Sequence, residues 1–134
     1  MYLRSVSILF LASCILAAAS GICHAADYRV RKMAEGLTFE IGINRNPPVV
    51  GDNAIRIEIR DSQGNPVQNA EVLVNYYMPP MPRMAPMNYT VPAAFKDGAY
   101  RAGMDLIMAG PWNIVIKAKN SGRWTQVAFP IDVR

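Results

Sequence analysis

The chain has 134 residues, with 14 Lys and Arg against 10 Asp and Glu, and a hydrophobic content of 51%. That length makes a single domain. The charge is spread without basic runs or aromatic–basic interleaving, so nucleic-acid binding is excluded as a function class.

In chain order, Arg4 comes first, followed by an uncharged stretch from Ser5 to Ala26 that closes on Cys23-His24-Ala25. The apolar centre at Val6 to Ala19 and the small-x-Ala ending read as a signal peptide over residues 1–25, an N-terminal signal helix. Cleavage there leaves a domain at residues 26–134 outside the cytoplasmic membrane, in the periplasm or an equivalent compartment. Two alternatives stand beside it. Leu11-Ala12-Ser13-Cys14 resembles a lipobox, which would give a lipidated Cys14, and the stretch is also long enough to stay as an uncleaved membrane anchor. Apolar residues after Cys14 argue against the first, and the weakly apolar Ala17 to Gly21 run argues against the second. Cleavage removes Cys14, Cys23 and His24, so the mature domain has no disulfide to form in an oxidising compartment. It also lacks the commonest metal ligands. Its stability must come from an apolar core, which about 110 residues can supply.

From Leu37 onward the sequence alternates with period two. Leu37, Phe39, Ile41 and Ile43 point one way, with Thr38, Glu40, Gly42 and Asn44 opposite. Ile55, Ile57 and Ile59 alternate with Arg56, Glu58 and Arg60. Trp112, Ile114 and Ile116 follow the same rule, and the last segment puts Val127, Phe129, Ile131 and Val133 inside. This is the pattern of strands with one buried face. Turn signals separate the runs at Asn46-Pro47-Pro48, Asp61 to Pro66, Asp97-Gly98, Ala109-Gly110-Pro111 and Asn120-Ser121-Gly122. The expected fold is all-β, an immunoglobulin-like antiparallel β-sandwich of about seven strands.

One segment breaks the alternation. After a strand from Ala70 to Tyr77, four prolines (79, 80, 82 and 86) and four methionines (Met78, Met81, Met84 and Met87) lead to Asn88-Tyr89. The prolines cannot donate ladder hydrogen bonds, so this is not a central strand. In a polyproline II conformation, three residues make one turn and all four thioethers share one side. A β conformation splits them between two faces. An extended segment cannot close four sulfurs on one ion, because successive methionines are about 9 Å apart at a rise of about 3.1 Å per residue. A single-ion site therefore needs a bend, or sulfur from Met104 or Met108, with Met33 a weaker candidate. Neutral, polarizable thioethers suit Cu(I) or Ag(I). The same residues could instead cover one end of the sandwich, or offer an adaptable surface to a partner.

Elsewhere Trp112 reads as core, with a cation–π cover over a metal as the lesser alternative. Trp124 reads as half-buried packing. Tyr76, Tyr77 and Tyr89 anchor the methionine segment or wall a site there. Glu58, Glu71 and Asp105 read as isolated, solvated carboxylates. There is no Ser/His/Asp or Cys/His set, no phosphate loop and no His/Cys cluster with catalytic spacing, so an enzyme is not expected.

Asp97-Gly98-Ala99-Tyr100-Arg101-Ala102 and Met108-Ala109-Gly110-Pro111-Trp112 carry a resemblance. Together with Pro47 to Asn53 and the turn from Asp61 to Val67 opening onto Ala70-Glu71-Val72, they resemble the YtkA-like domain family over about residues 37–134. The FixH-like proteins, membrane-anchored and tied to oxidase assembly, look similar. The resemblance implies an immunoglobulin-like domain outside the cytoplasmic membrane, and a family that often carries a Met-Pro-x-Met-Pro loop and occurs beside heavy-metal efflux adaptors. It strengthens the reading of a non-catalytic Cu(I) or Ag(I) binding protein. The expected ligands are Met78, Met81, Met84 and Met87 with Met104 and Met108. A membrane efflux or oxidase-assembly component is the expected partner if the segment docks on protein instead.

Overall fold

The period-two runs become eight antiparallel strands in the computed structural model, which describes residues 27–134. The expected leader at 1–25, with Cys14, Cys23 and His24, lies outside the described residues. The strands are β1 (Tyr28–Ala34), β2 (Leu37–Ile43), β3 (Gly51–Arg60), β4 (Glu71–Tyr77), β5 (Asn88–Lys96), β6 (Ala99–Leu106), β7 (Gly110–Asn120) and β8 (Arg123–Val133). They pair in the order β1-β2-β3-β6-β5-β4-β7-β8. Strand β5 joins the two layers: Asn88 to Ala93 pair with β4, and Ala94 to Lys96 turn onto β6. One layer is β1-β2-β3-β6 and the other β5-β4-β7-β8, as expected of a sandwich. The strand count is eight rather than about seven. The strands least marked in the sequence are β1, whose charged alternation hid its edge position, and β5, which exposes much of its length.

The alternating residues meet between the layers. Phe39, Ile43, Ile57, Leu106, Trp112, Ile114 and Ile116 are almost wholly buried in one cluster. Each such side chain is worth roughly 1.5–3 kcal/mol over exposure, which is how a fold without a disulfide among its described residues holds. Tyr28 stacks on Phe129 at 6.1 Å and donates to the Pro130 carbonyl at 3.3 Å, so β1 is held against β8 where no ladder joins them.

Loops gather at two ends. The connections after β2, β4 and β6 share one end with the C-terminus, where the Val50 N–H donates to the Arg134 carbonyl and the Arg134 N–H to the Pro48 carbonyl. Buried Asn53 ties the first of these loops down through Val49 and Gly51. At the opposite end, Tyr100 pins the β3–β4 connection. Its hydroxyl donates to the Val67 carbonyl at 2.7 Å and accepts from the Ala70 N–H at 3.0 Å.

Burial raises the Tyr100 hydroxyl above its ordinary value of 10.0, against a lowering by the Ala70 hydrogen bond; burial also raises Tyr28. Because the folded-state value is raised, the associated stability is complete below the unfolded value and lost as pH rises through the folded one. Tyr100→Phe orphans the Val67 carbonyl and the Ala70 N–H, so it is expected to cost about 1–3 kcal/mol at neutral pH. Urea midpoints measured from neutral to strongly alkaline pH should show a shallower alkaline limb in the variant, with Tyr28 supplying the remainder.

Candidate metal centre

The strand that leads into the methionine segment sets its geometry. On β4 the inward residues are Val72, Val74 and Tyr76, and the next in that alternation is Met78. Its N–H donates to the Met87 carbonyl at 3.0 Å, extending the β4–β5 ladder by one pair. Pro79 and Pro86, opposed in the same register, then end the ladder because neither has an N–H to give. The chain reverses through a turn in which the Met84 N–H donates to the Met81 carbonyl at 3.3 Å and Arg83 takes φ 63°.

The polyproline II arrangement, with four thioethers on one side, does not form. The reason is the hairpin: residues related by its centre oppose one another, so the three-residue spacing yields two cross-hairpin pairs, Met78 with Met87 and Met81 with Met84. Three residues is an odd step, and in a β arrangement an odd step changes face. Met78 and Met87 go inward, 6% and 8% exposed; Met81 and Met84 stay at the tip, 36% and 42% exposed. The segment bends, as a site required, but it makes an inner and an outer pair rather than a four-sulfur cluster.

The other candidates are distributed unevenly. Met104 faces inward on β6, opposite Asn53, and is 1% exposed. Met108 is half-buried in the β6–β7 connection. Met33 is 76% exposed beside the β1–β2 turn, at the far end of the sandwich. Among the described residues no group of three His, Cys, Asp or Glu could hold a metal, so the thioethers are the soft donors available.

Below the inner pair lies an aromatic layer. Tyr76 packs on Tyr89 at 5.5 Å and on Trp112 at 6.1 Å. Trp112 is fully buried and donates its indole N–H to the Met108 carbonyl at 2.9 Å. It is core, as its register predicted. On the outer face Asn75 bonds Asn88, the Tyr89 carbonyl and Thr90, clamping the hairpin stem. Trp124 is half-exposed under Lys119. Glu58 is not isolated: its carboxylate pairs with Arg56 at 2.6 Å.

Residue reading alone missed Gly110. Its φ is +121°, and a Cβ built there would lie 2.9 Å from the Met78 Cε. Gly110 therefore leaves the space that the inner thioether fills. Met108, Gly110 and Trp112 thus act together: a carbonyl for the indole, a gap for Met78 and a wall behind it. The signal was present in the Met-Ala-Gly-x-Trp pattern, without its physical reason.

A sequence model of the YtkA-like family matches residues 31–117, more than half of the chain. The chain belongs to the YtkA-like family. No curated protein matches it. Among solved structures it is similar to the soluble domain of PmoD from Methylocystis sp. ATCC 49242, with a TM-score of 0.56 at 10% identity, over 78% of this chain and 96% of that one. At that identity the likeness bears on the fold, and it agrees with the sandwich of this YtkA-like domain.

Gly110→Ala forces Met78 to move and places a Cβ at positive φ, so it is expected to cost about 1–3 kcal/mol. Chemical denaturation gives the cost. The ε-methyl NMR signal of Met78 should shift most, with those of Met33 and Met81 unchanged.

Proposed function

We propose that this YtkA-like domain is an exported, non-catalytic binding protein that takes Cu(I) or Ag(I) through the β4–β5 hairpin. The observation that carries the reading is the pairing of Met81 with Met84 across a turn at the exposed tip. A cross-strand pair has Cβ atoms about 5 Å apart, and two flexible thioethers on that base can converge on one soft ion. Thioethers need no deprotonation and are poor ligands for hard ions. The prolines at 79, 80, 82 and 86 limit the conformations that the tip must give up on binding. Met78 and Met87 lie deeper and serve as supporting donors, with Met108 beside them, whereas Met104 would reach an ion only if the core opened. Export rests on the leader at 1–25, and handling of a toxic soft metal outside the cytoplasmic membrane is the role that fits.

The exposure of Met81 and Met84 among prolines also favours a second reading, in which the tip docks on a membrane efflux or oxidase-assembly component. Leucine separates the two, since it keeps apolar area and loses only sulfur. In a Cu(I) titration against a competing chelator, Met81→Leu with Met84→Leu should weaken binding at least tenfold without moving the Tm. Met78→Leu with Met87→Leu should weaken it less and alter stability. Unchanged affinity in a variant with all four replaced would sink the metal reading, and retained partner capture by the same variant would support docking.

A further inference from the structure

The outer face of the β1-β2-β3-β6 layer carries a concavity of about 700 Å³, within the range of small-molecule sites. It lies away from the methionine hairpin and none of the reading above depends on it. Its floor is made by strand-interior residues with little or no side chain: Gly42 on β2, Ala54 on β3 and Gly103 on β6. The fold does not demand those glycines. A Cβ on Gly42 would meet only the Tyr28 carbonyl at 3.8 Å, one on Gly103 would meet nothing within 4 Å, and neither has a positive φ. Glycine inside a strand costs roughly 0.5–1 kcal/mol relative to alanine, and such positions often mark where a ligand approaches the backbone.

Above this floor the register aligns three arginines in one row across four strands. Arg29 opposes Gly42, Gly42 opposes Arg56, and Arg56 opposes Arg101. Like charges directly opposed across a ladder are unfavourable, so Arg56 and Arg101 call for an anion. Glu58 answers for Arg56 at 2.6 Å, and Glu40 for Arg31 at 2.7 Å. The two ends of the row stay open. Arg29 has only Asp27 at 3.9 Å, both well exposed. Arg101 anchors its Nε on the Lys96 carbonyl at 3.1 Å, and its Nη groups have no partner among the described residues.

We infer that this groove binds a small, extended organic anion with an acidic group at each end. The guanidiniums of Arg29 and Arg101 would take the two ends as forks matched to carboxylate or phosphate. Three strand spacings put β1 and β6 about 14 Å apart, and the Lys96 carbonyl holds the Arg101 guanidinium on the β5 side, which widens that span. The body of the ligand would lie over the bare backbone at Gly42 and against the low Ala54–Gly103 pair that flanks the row. Glu40 and Glu58 are already paired with Arg31 and Arg56, so the two open guanidiniums lie at the ends of the row, and their separation selects a two-ended diacid over a compact polyanion.

The test uses ¹⁵N-labelled protein produced from the full chain, titrated with suberate, and with acetate, pyrophosphate and anionic phosphatidylglycerol vesicles as contrasts. Suberate should shift the Gly42, Ala54 and Gly103 amides saturably, with acetate at equal carboxylate giving a much smaller response. Arg29→Gln and Arg101→Gln should each weaken suberate binding about tenfold. Gly103→Val, which fits a strand and has room for its side chain, should abolish binding with the remaining amide shifts and the Tm retained. The inference is overturned by the absence of a saturable shift, by equal responses to acetate or pyrophosphate, by binding to vesicles alone, or by arginine variants that bind as before.

Discussion

Two sheets that each carry one apolar face must seal those faces against each other, and nearly every position in this protein follows from that. Among the described residues there is no disulfide and no buried polar side-chain atom without a partner, so the dry layer between the sheets is what holds the fold. It fixes the parity of each strand, because a slip by one residue would turn Phe39, Ile41 and Ile43 to water and Thr38 and Glu40 to the core. The same parity runs past the end of β4 and sends Met78 inward behind Tyr76. The methionine segment is thus a continuation of the core at its root and a surface only at its tip.

That division gives the hairpin its chemical character. The inner thioethers belong to the buried cluster that holds Tyr76 and Trp112, with the Met78 methyl against the backbone at Gly110. The outer thioethers lie on a proline-stiffened turn in contact with solvent. Under the proposed metal reading a soft ion would meet the outer pair first, and rearranging the inner pair would disturb the buried core around Tyr76 and Trp112. One ten-residue segment therefore divides into a buried root at Met78 and Met87 and an exposed tip at Met81 and Met84.

The two sheets also differ on their outer faces. The β5-β4-β7-β8 layer is tied by Asn75 and capped by the Lys119–Trp124 contact, whereas the β1-β2-β3-β6 layer leaves bare backbone at Gly42 within a row of arginines and at Gly103 beside it. Those positions are free of the parity constraint, so their residue types carry information that the core does not. Small residues at Gly42, Ala54 and Gly103 leave the concavity on that outer face.

The strands were legible because period-two alternation is written locally: β2, β3, β7 and β8 follow from Leu37 to Ile43, Ile55 to Ile59, Trp112 to Ile116 and Val127 to Val133. Strand β1 was less visible because an edge strand with Arg29, Arg31 and Lys32 buries little, and β5 because it divides its pairing between β4 and β6. The sequence by itself determined that four thioethers recur every three residues among prolines, and that residues 27–134 hold no Cys or His to compete with them. Only the tertiary structure decided which methionines oppose one another across the hairpin. Spacing has a different meaning in a single extended segment and in a hairpin, where the turn at Arg83 chooses the partners and the core chooses the face. The Arg29–Arg56–Arg101 row is of the same kind, since residues far apart in the chain become neighbours only through the register of four strands.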